Sequence, residues 1–175
     1  MLQVVERALW QPKFKIFKFA DMNSHSSEVV AREYFAGNKD MRPYEIVCFE
    51  GNLLLNAGIT SMLQLITGTG SPTAFSNANA RTGVGDSTTA AAATQTGLQA
   101  TTNKTYKSMD LSFPSVSSQT MTFQSTYATG DANYAWEEFT IDNGATANVA
   151  INRKVNSSGT KSTGTWTLQV AITLS

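Results

Sequence analysis

Trp166, Leu168, Val170, Ile172 and Leu174 occupy every second position of the C-terminal stretch, with Thr165, Thr167, Gln169, Ala171 and Thr173 between them. A two-residue period puts alternate side chains on opposite faces of an extended strand, so this segment has one apolar and one polar face. A helix would scatter the same groups around its circumference. Such a strand needs a sheet that turns one face to a core, as antiparallel sandwiches and barrels do.

The same period recurs from Thr101 onward. Residues 106–113 align Met109, Leu111 and Phe113 before Pro114, and residues 119–127 align Met121, Phe123 and Tyr127. Tyr134 and Trp136 open a further strand whose phase shifts to Phe139 and Ile141, which predicts a bulge near Glu137-Glu138. Residues 148–154 offer Val149 and Ile151, while Asp142-Asn143-Gly144 and Ser157-Ser158-Gly159 supply turns.

Toward the N-terminus, Phe14 and Ile16 share one face of an extended segment, and Phe17 and Phe19 share the other. A strand of that kind needs cover on both sides. It is either a core strand or an arm laid across a neighbouring subunit, and in the second case Trp10, Phe14, Ile16, Phe17 and Phe19 are the contact residues. Residues 29–35 and 44–50 read as a second and third strand. In the latter, Ile46 and Cys48 face one way and Val47 and Phe49 the other, with Cys48 expected to behave as a small buried hydrophobe.

One helix is predicted over about 52–67, capped by Asn52 and stopped at Gly68. Leu55, Ile59, Met62, Leu63 and Ile66 form a single apolar stripe, expected to be buried, and Gly58 costs about 1 kcal/mol against alanine. Beyond it, Gly83-Val84-Gly85-Asp86-Ser87 allows a short strand and then a turn. It lacks the Gly-Lys-Ser/Thr ending of a phosphate loop. Ala90 to Ala93 read as a loop that Leu98 pins to the body.

The expected fold is therefore mainly β, an antiparallel β-sandwich, jelly-roll-like, with one amphipathic helix and about four strands in each sheet. A small β-barrel is the alternative. Residues 1–44 are expected to form N-terminal strands or an arm, and residues 45–175 the sandwich domain.

Composition narrows the function. The chain has 175 residues, enough to bury a core, and 13 basic residues balance 13 acidic ones, so no net field draws nucleic acid or an anionic membrane. Fourteen of the 26 charged residues fall in the first 50 positions, leaving a remainder rich in Thr, Ser, Ala, Asn and Gly. A single cysteine, Cys48, makes neither an intramolecular disulfide nor a multi-cysteine zinc site. The N-terminal residues lack the pattern of a secretory signal, and no apolar run reaches the roughly 20 residues that span a bilayer. A soluble protein made in the cytoplasm is expected.

Reactive constellations are not evident. His25, the lone histidine, lies among serines, and pairing it with Cys48 as nucleophile and base has little to recommend it. Glu137 and Glu138, as strand neighbours, point to opposite faces and make a poor glycosidase pair. Asp86, Asp131 and Asp142 read as turn residues rather than calcium ligands. Trp136 and Trp166 read as core residues, with sugar platforms as the other reading. No catalytic, cofactor or metal residue is assigned, and the chain is not expected to be an enzyme.

The run Gly51-Asn52-Leu53-Leu54-Leu55-Asn56-Ala57-Gly58-Ile59, the segment Phe75-Ser76-Asn77-Ala78-Asn79-Ala80, Gly83-Val84-Gly85-Asp86-Ser87 and the tail Gly164-Thr165-Trp166-Thr167-Leu168 form an ordered set across residues 45–175. In that set the chain resembles a group of tailed-bacteriophage virion structural proteins. The resemblance implies a component of the virion and carries over no catalytic residue. It implies a capsid decoration or cement protein, bound as a dimer or trimer at junctions between subunits of the major capsid protein. Its partners would be that protein and copies of itself. The alternative within the class is a tail, fibre or baseplate component that binds other virion proteins or a host glycan.

Overall fold

The computed structural model describes residues 9–144 and 149–175. In chain order these form β1 (Trp10–Phe19), α1 (Ser27–Phe35), β2 (Glu45–Glu50), β3 (Leu53–Leu54), α2 (Asn56–Thr67), β4 (Arg81–Gly85), β5 (Lys104–Ser108), β6 (Ser115–Ser117), β7 (Thr120–Tyr127), β8 (Glu138–Asp142), β9 (Ala150–Val155) and β10 (Thr165–Leu174). The strands build two five-stranded sheets, ordered β2-β1-β10-β7-β6 and β3-β9-β8-β4-β5. Every pairing is antiparallel. Two separate sheets facing across a core make a sandwich and exclude the closed barrel.

The alternation of β10 does what the sequence demands. Trp166, Leu168, Val170 and Ile172 are buried, joined in the core by Phe14, Ile16, Phe123, Tyr127, Trp136, Phe139, Ile141 and Ile151. Tyr127, Trp136 and Trp166 meet edge to face, with ring centroids 4.8 and 4.9 Å apart, a geometry that aromatic quadrupoles favour.

β1 is an inner strand of its sheet. It pairs with β10 from Trp10↔Leu174 to Phe19↔Thr165 and with β2 on its other side. Residues 10–19 are thus woven into the same sandwich as the later strands. The two-sided cover that this strand requires comes from within the chain: Phe14 and Ile16 enter the main core, and Phe17 and Phe19 form a second cluster with Val30 and Ala31 of α1.

That second cluster corrects an expectation. Residues 29–35 are helical rather than extended, so the described residues hold two helices. Val30, Ala31 and Tyr34 have helical spacing toward the phenylalanines, and Asp21 Oδ1 accepts the Ser27 N–H at 2.8 Å, satisfying an early amide of the helix.

Other boundaries also move. Residues 109–113 leave the strand after Ser108, and Leu111 ends 90% exposed in a turn. Tyr134 and Trp136 precede β8, and the register shift falls between Ile141 and Asp142. Cys48 is exposed, because it shares the outward face of β2 with Ile46. Residue 148, the first of the strand expected over 148–154, lies outside the described residues.

Candidate functional site

α2 forms where it was expected, four residues later at its start, and ends at Gly68 in the left-handed conformation that glycine adopts without strain. Asn52 does not cap it; its Oδ1 accepts the Trp10 indole N–H at 2.8 Å instead. The helix is tied to β9, since the Leu55 N–H donates to Ile151 O at 3.1 Å. Its packing face is the small one. Gly58 and Ser61 are its buried residues, and a Cβ on Gly58 would meet Ala150 O at 2.7 Å.

A helix seated on glycine and serine turns its aliphatic stripe outward. Of the five stripe residues only Leu55 is fully buried; Ile59 is 37% exposed, Leu63 57% and Ile66 81%. The expectation that this stripe faces the core is overturned for these three. Close backbone contact with β9 decides the helix rotation. Leu65, Ile66 and Met62 then form one wall of an open groove of about 300 Å³, with Phe75, Met121 and Leu174 opposite. Val116, 77% exposed, is directly paired with Met121, so that the two side chains share a face.

No charge interrupts this part of the chain. From Gly51 to Ala80 there is no Asp, Glu, Lys, Arg or His. A contiguous apolar surface of this kind is the feature that most often marks contact with another macromolecule. Its sequence signal was the thirty-residue gap in charge, read beside a stripe whose opposite face is Gly and Ser.

The residues singled out from sequence as inter-subunit contacts lie elsewhere. Phe14, Ile16, Phe17 and Phe19 are at most 7% exposed and spend their surface inside this chain; Phe14 stacks on Phe49 at 4.8 Å. Trp10 is half-buried, at the edge of the main core. The two indoles considered as sugar platforms, Trp136 and Trp166, are 0% and 3% exposed and present no stacking face.

Polar groups that could have carried chemistry are engaged in holding the sandwich. Arg153 donates through Nε to Glu138 Oε2 at 2.7 Å, with neither side chain exposed. Glu138 also accepts the N–H groups of Gln99 and Ala100, which pins the loop after the glycine-rich strand. Asp142 takes a two-pronged contact from Arg81 at 2.8 and 2.7 Å, and Asp131 accepts from Lys107 at 2.6 Å. Asp86 accepts from Asn103 Nδ2 at 2.7 Å. Lys161, its pKa lowered by burial, is held by Ala128 O, Thr129 O and Asn133 Oδ1. His25 is exposed in its turn, against Asn23 O. Among the described residues no three His, Cys, Asp or Glu side chains converge as metal ligands would.

The fold is an antiparallel two-sheet β-sandwich that carries an exposed apolar groove beside α2. No family model, no curated protein and no solved structure matches the chain.

Proposed function

We propose that this chain is a structural protein of a tailed-bacteriophage virion, acting as a capsid decoration protein that binds the lattice of the major capsid protein. The supporting observation is the exposed apolar face of α2 and its groove, carried by a sandwich whose own core is already filled. Buried apolar area stabilises by roughly 25 cal/mol per Å², so a protein that leaves such a face open gains by covering it. The ordered set of segments resembling virion proteins supports the particle as the place where that happens.

The mechanism is adhesion, with no bond made or broken. A protein that binds assembled lattice better than free subunits stabilises the shell by mass action. The charge-free stretch from Gly51 to Ala80 suits close-packed seams, where each unpaired buried charge would carry a desolvation cost.

Co-sedimentation tests the proposal. Purified chain mixed with shells of the same virus's major capsid protein should pellet at saturable, stoichiometric occupancy and raise the temperature at which the shells open. A chain that stays in the supernatant with shells contradicts it, and pelleting with tails instead would move the protein to the tail.

A further inference from the structure

Two open sheets have four edge strands, and three of these are blunted. β6 and β3 are three and two residues long, and β5 carries Lys104 and Lys107 among its five. Short length and edge lysines are ways in which a sheet avoids pairing with another chain. β2 has six residues and no proline, and its middle, Ile46-Val47-Cys48-Phe49, is uncharged. None of its residues lines the groove beside α2.

The ladder fixes which backbone groups of β2 are open. Gly51 N–H donates to Pro12 O at 3.1 Å, one step beyond the pair Glu50↔Lys13. In an antiparallel pair, the backbone groups of every second residue turn toward the same neighbour. Val47 and Phe49 therefore bond to β1, and the N–H and C=O groups of Ile46, Cys48 and Glu50 point out from the sheet. The other side of β1 agrees, since Leu9 and Ser175 exchange N–H···O bonds at 2.6 and 3.1 Å, which gives the odd residues of β1 to β10 and the even ones to β2. All three outward residues are exposed, and among the described residues no strand lies beyond them.

Charge selects the occupant, and β1 shows the pattern that matches. It reads Lys13-Phe14-Lys15-Ile16-Phe17-Lys18, and Lys13 and Lys18 stand 3.5 and 2.8 Å from the carboxylates of Glu50 and Glu45 across the ladder. Those two side chains remain 72% and 49% exposed, within reach of a cation arriving from the open edge. β2 itself carries no Lys or Arg. An incoming strand with basic ends would meet opposite charge, whereas an acidic one would meet like charge.

We infer that the open edge of β2 takes up an extended segment of the lattice protein as an added antiparallel strand, basic at both ends and apolar between. The inference rests on reading this chain as a decoration protein and adds to the α2 groove a second contact of a different kind. Main-chain hydrogen bonds supply affinity in such strand addition, and alternate side chains supply specificity.

Hydrogen exchange on the full chain tests this, with the peptide Lys-Phe-Lys-Ile-Phe-Lys as the probe. The peptide should slow exchange at the amides of Ile46, Cys48 and Glu50 and leave Val47 and Phe49, already in the ladder, as they were. The same peptide with glutamate in place of each lysine should protect none of them. Glu50→Lys, at an exposed side chain, should lose the protection given by the basic peptide. Cys48→Pro deletes an outward N–H that no strand of this chain uses, and edge strands accept proline where the N–H side faces solvent. That variant should keep its circular dichroism and lose the protection at Ile46 and Glu50. No protection from the basic peptide, equal protection from the acidic one, or a Glu50→Lys chain protected as well as the wild type overturns the inference.

Shells of the major capsid protein separate the two proposals. A chain that takes up the basic peptide and ignores shells refutes only the decoration role. A folded Cys48→Pro chain that coats shells as fully and as tightly as the wild type refutes the added strand alone.

Discussion

Gly58 lies against the backbone of Ile151, close enough that an alanine Cβ would collide with the Ile151 Cα and meet its carbonyl oxygen at 2.9 Å. Helix propensity alone says that Gly58→Ala should stabilise by about 1 kcal/mol. Contact with unyielding backbone says the reverse, and overpacking of this kind costs about 1 to 3 kcal/mol. Urea unfolding of the variant should show a net loss of stability. A gain would mean that α2 is not seated on β9 in this way.

The buried pair of Arg153 and Glu138 gives a second expectation. Glu138→Ala leaves the guanidinium without its carboxylate in a site with no solvent exposure and frees the amides of Gln99 and Ala100. Breaking a buried pair by removing one partner costs about 3 to 5 kcal/mol. Hydrogen exchange should quicken at those two amides, as well as globally. Slow exchange there in a variant of unchanged stability would contradict the pinning role.

Acid should act through Glu28. The Thr129 hydroxyl and then its backbone N–H, donating at 2.7 and 3.0 Å, lower the Glu28 pKa from 4.5 to about 2. A depressed carboxylate pKa contributes stability that is fully present above about pH 4.5 and lost as pH falls toward about 2. Because the group is largely solvated, its contribution is below about 1 kcal/mol. Melting curves of wild type and Glu28→Gln should differ at pH 6 and converge near pH 2 to 3; a gap that widens on acidification would refute the assignment.

Cys48, exposed on the outward face of β2, should react fully with a thiol reagent in the native protein. Protection that lifts only in denaturant would show that this face of β2 is covered.

The legibility of the chain follows the range of the forces involved. β7 and β10 could be read directly, because period-two alternation is local and one face of each strand meets the core. α1 was hidden. Val29-Val30 and Tyr34-Phe35 favour extended backbone locally, and what selects the helix is distant, the docking of Val30 and Ala31 on Phe17 and Phe19. For α2 the helix was legible but its rotation was not. The apolar stripe pointed to burial, while the fit of Gly58 on β9, more than ninety positions away, turned it outward. The candidate site was missed for the same reason, since Met62, Ile66, Met121 and Leu174 in it lie on faces that the sequence assigns to a core.

Imaging of the virion with this protein tagged tests the central claim most directly. A decoration protein predicts density at regular positions over the shell, in a fixed ratio to the major capsid protein. Absence of the protein from mature particles, or a few copies confined to one structure outside the shell, would contradict it.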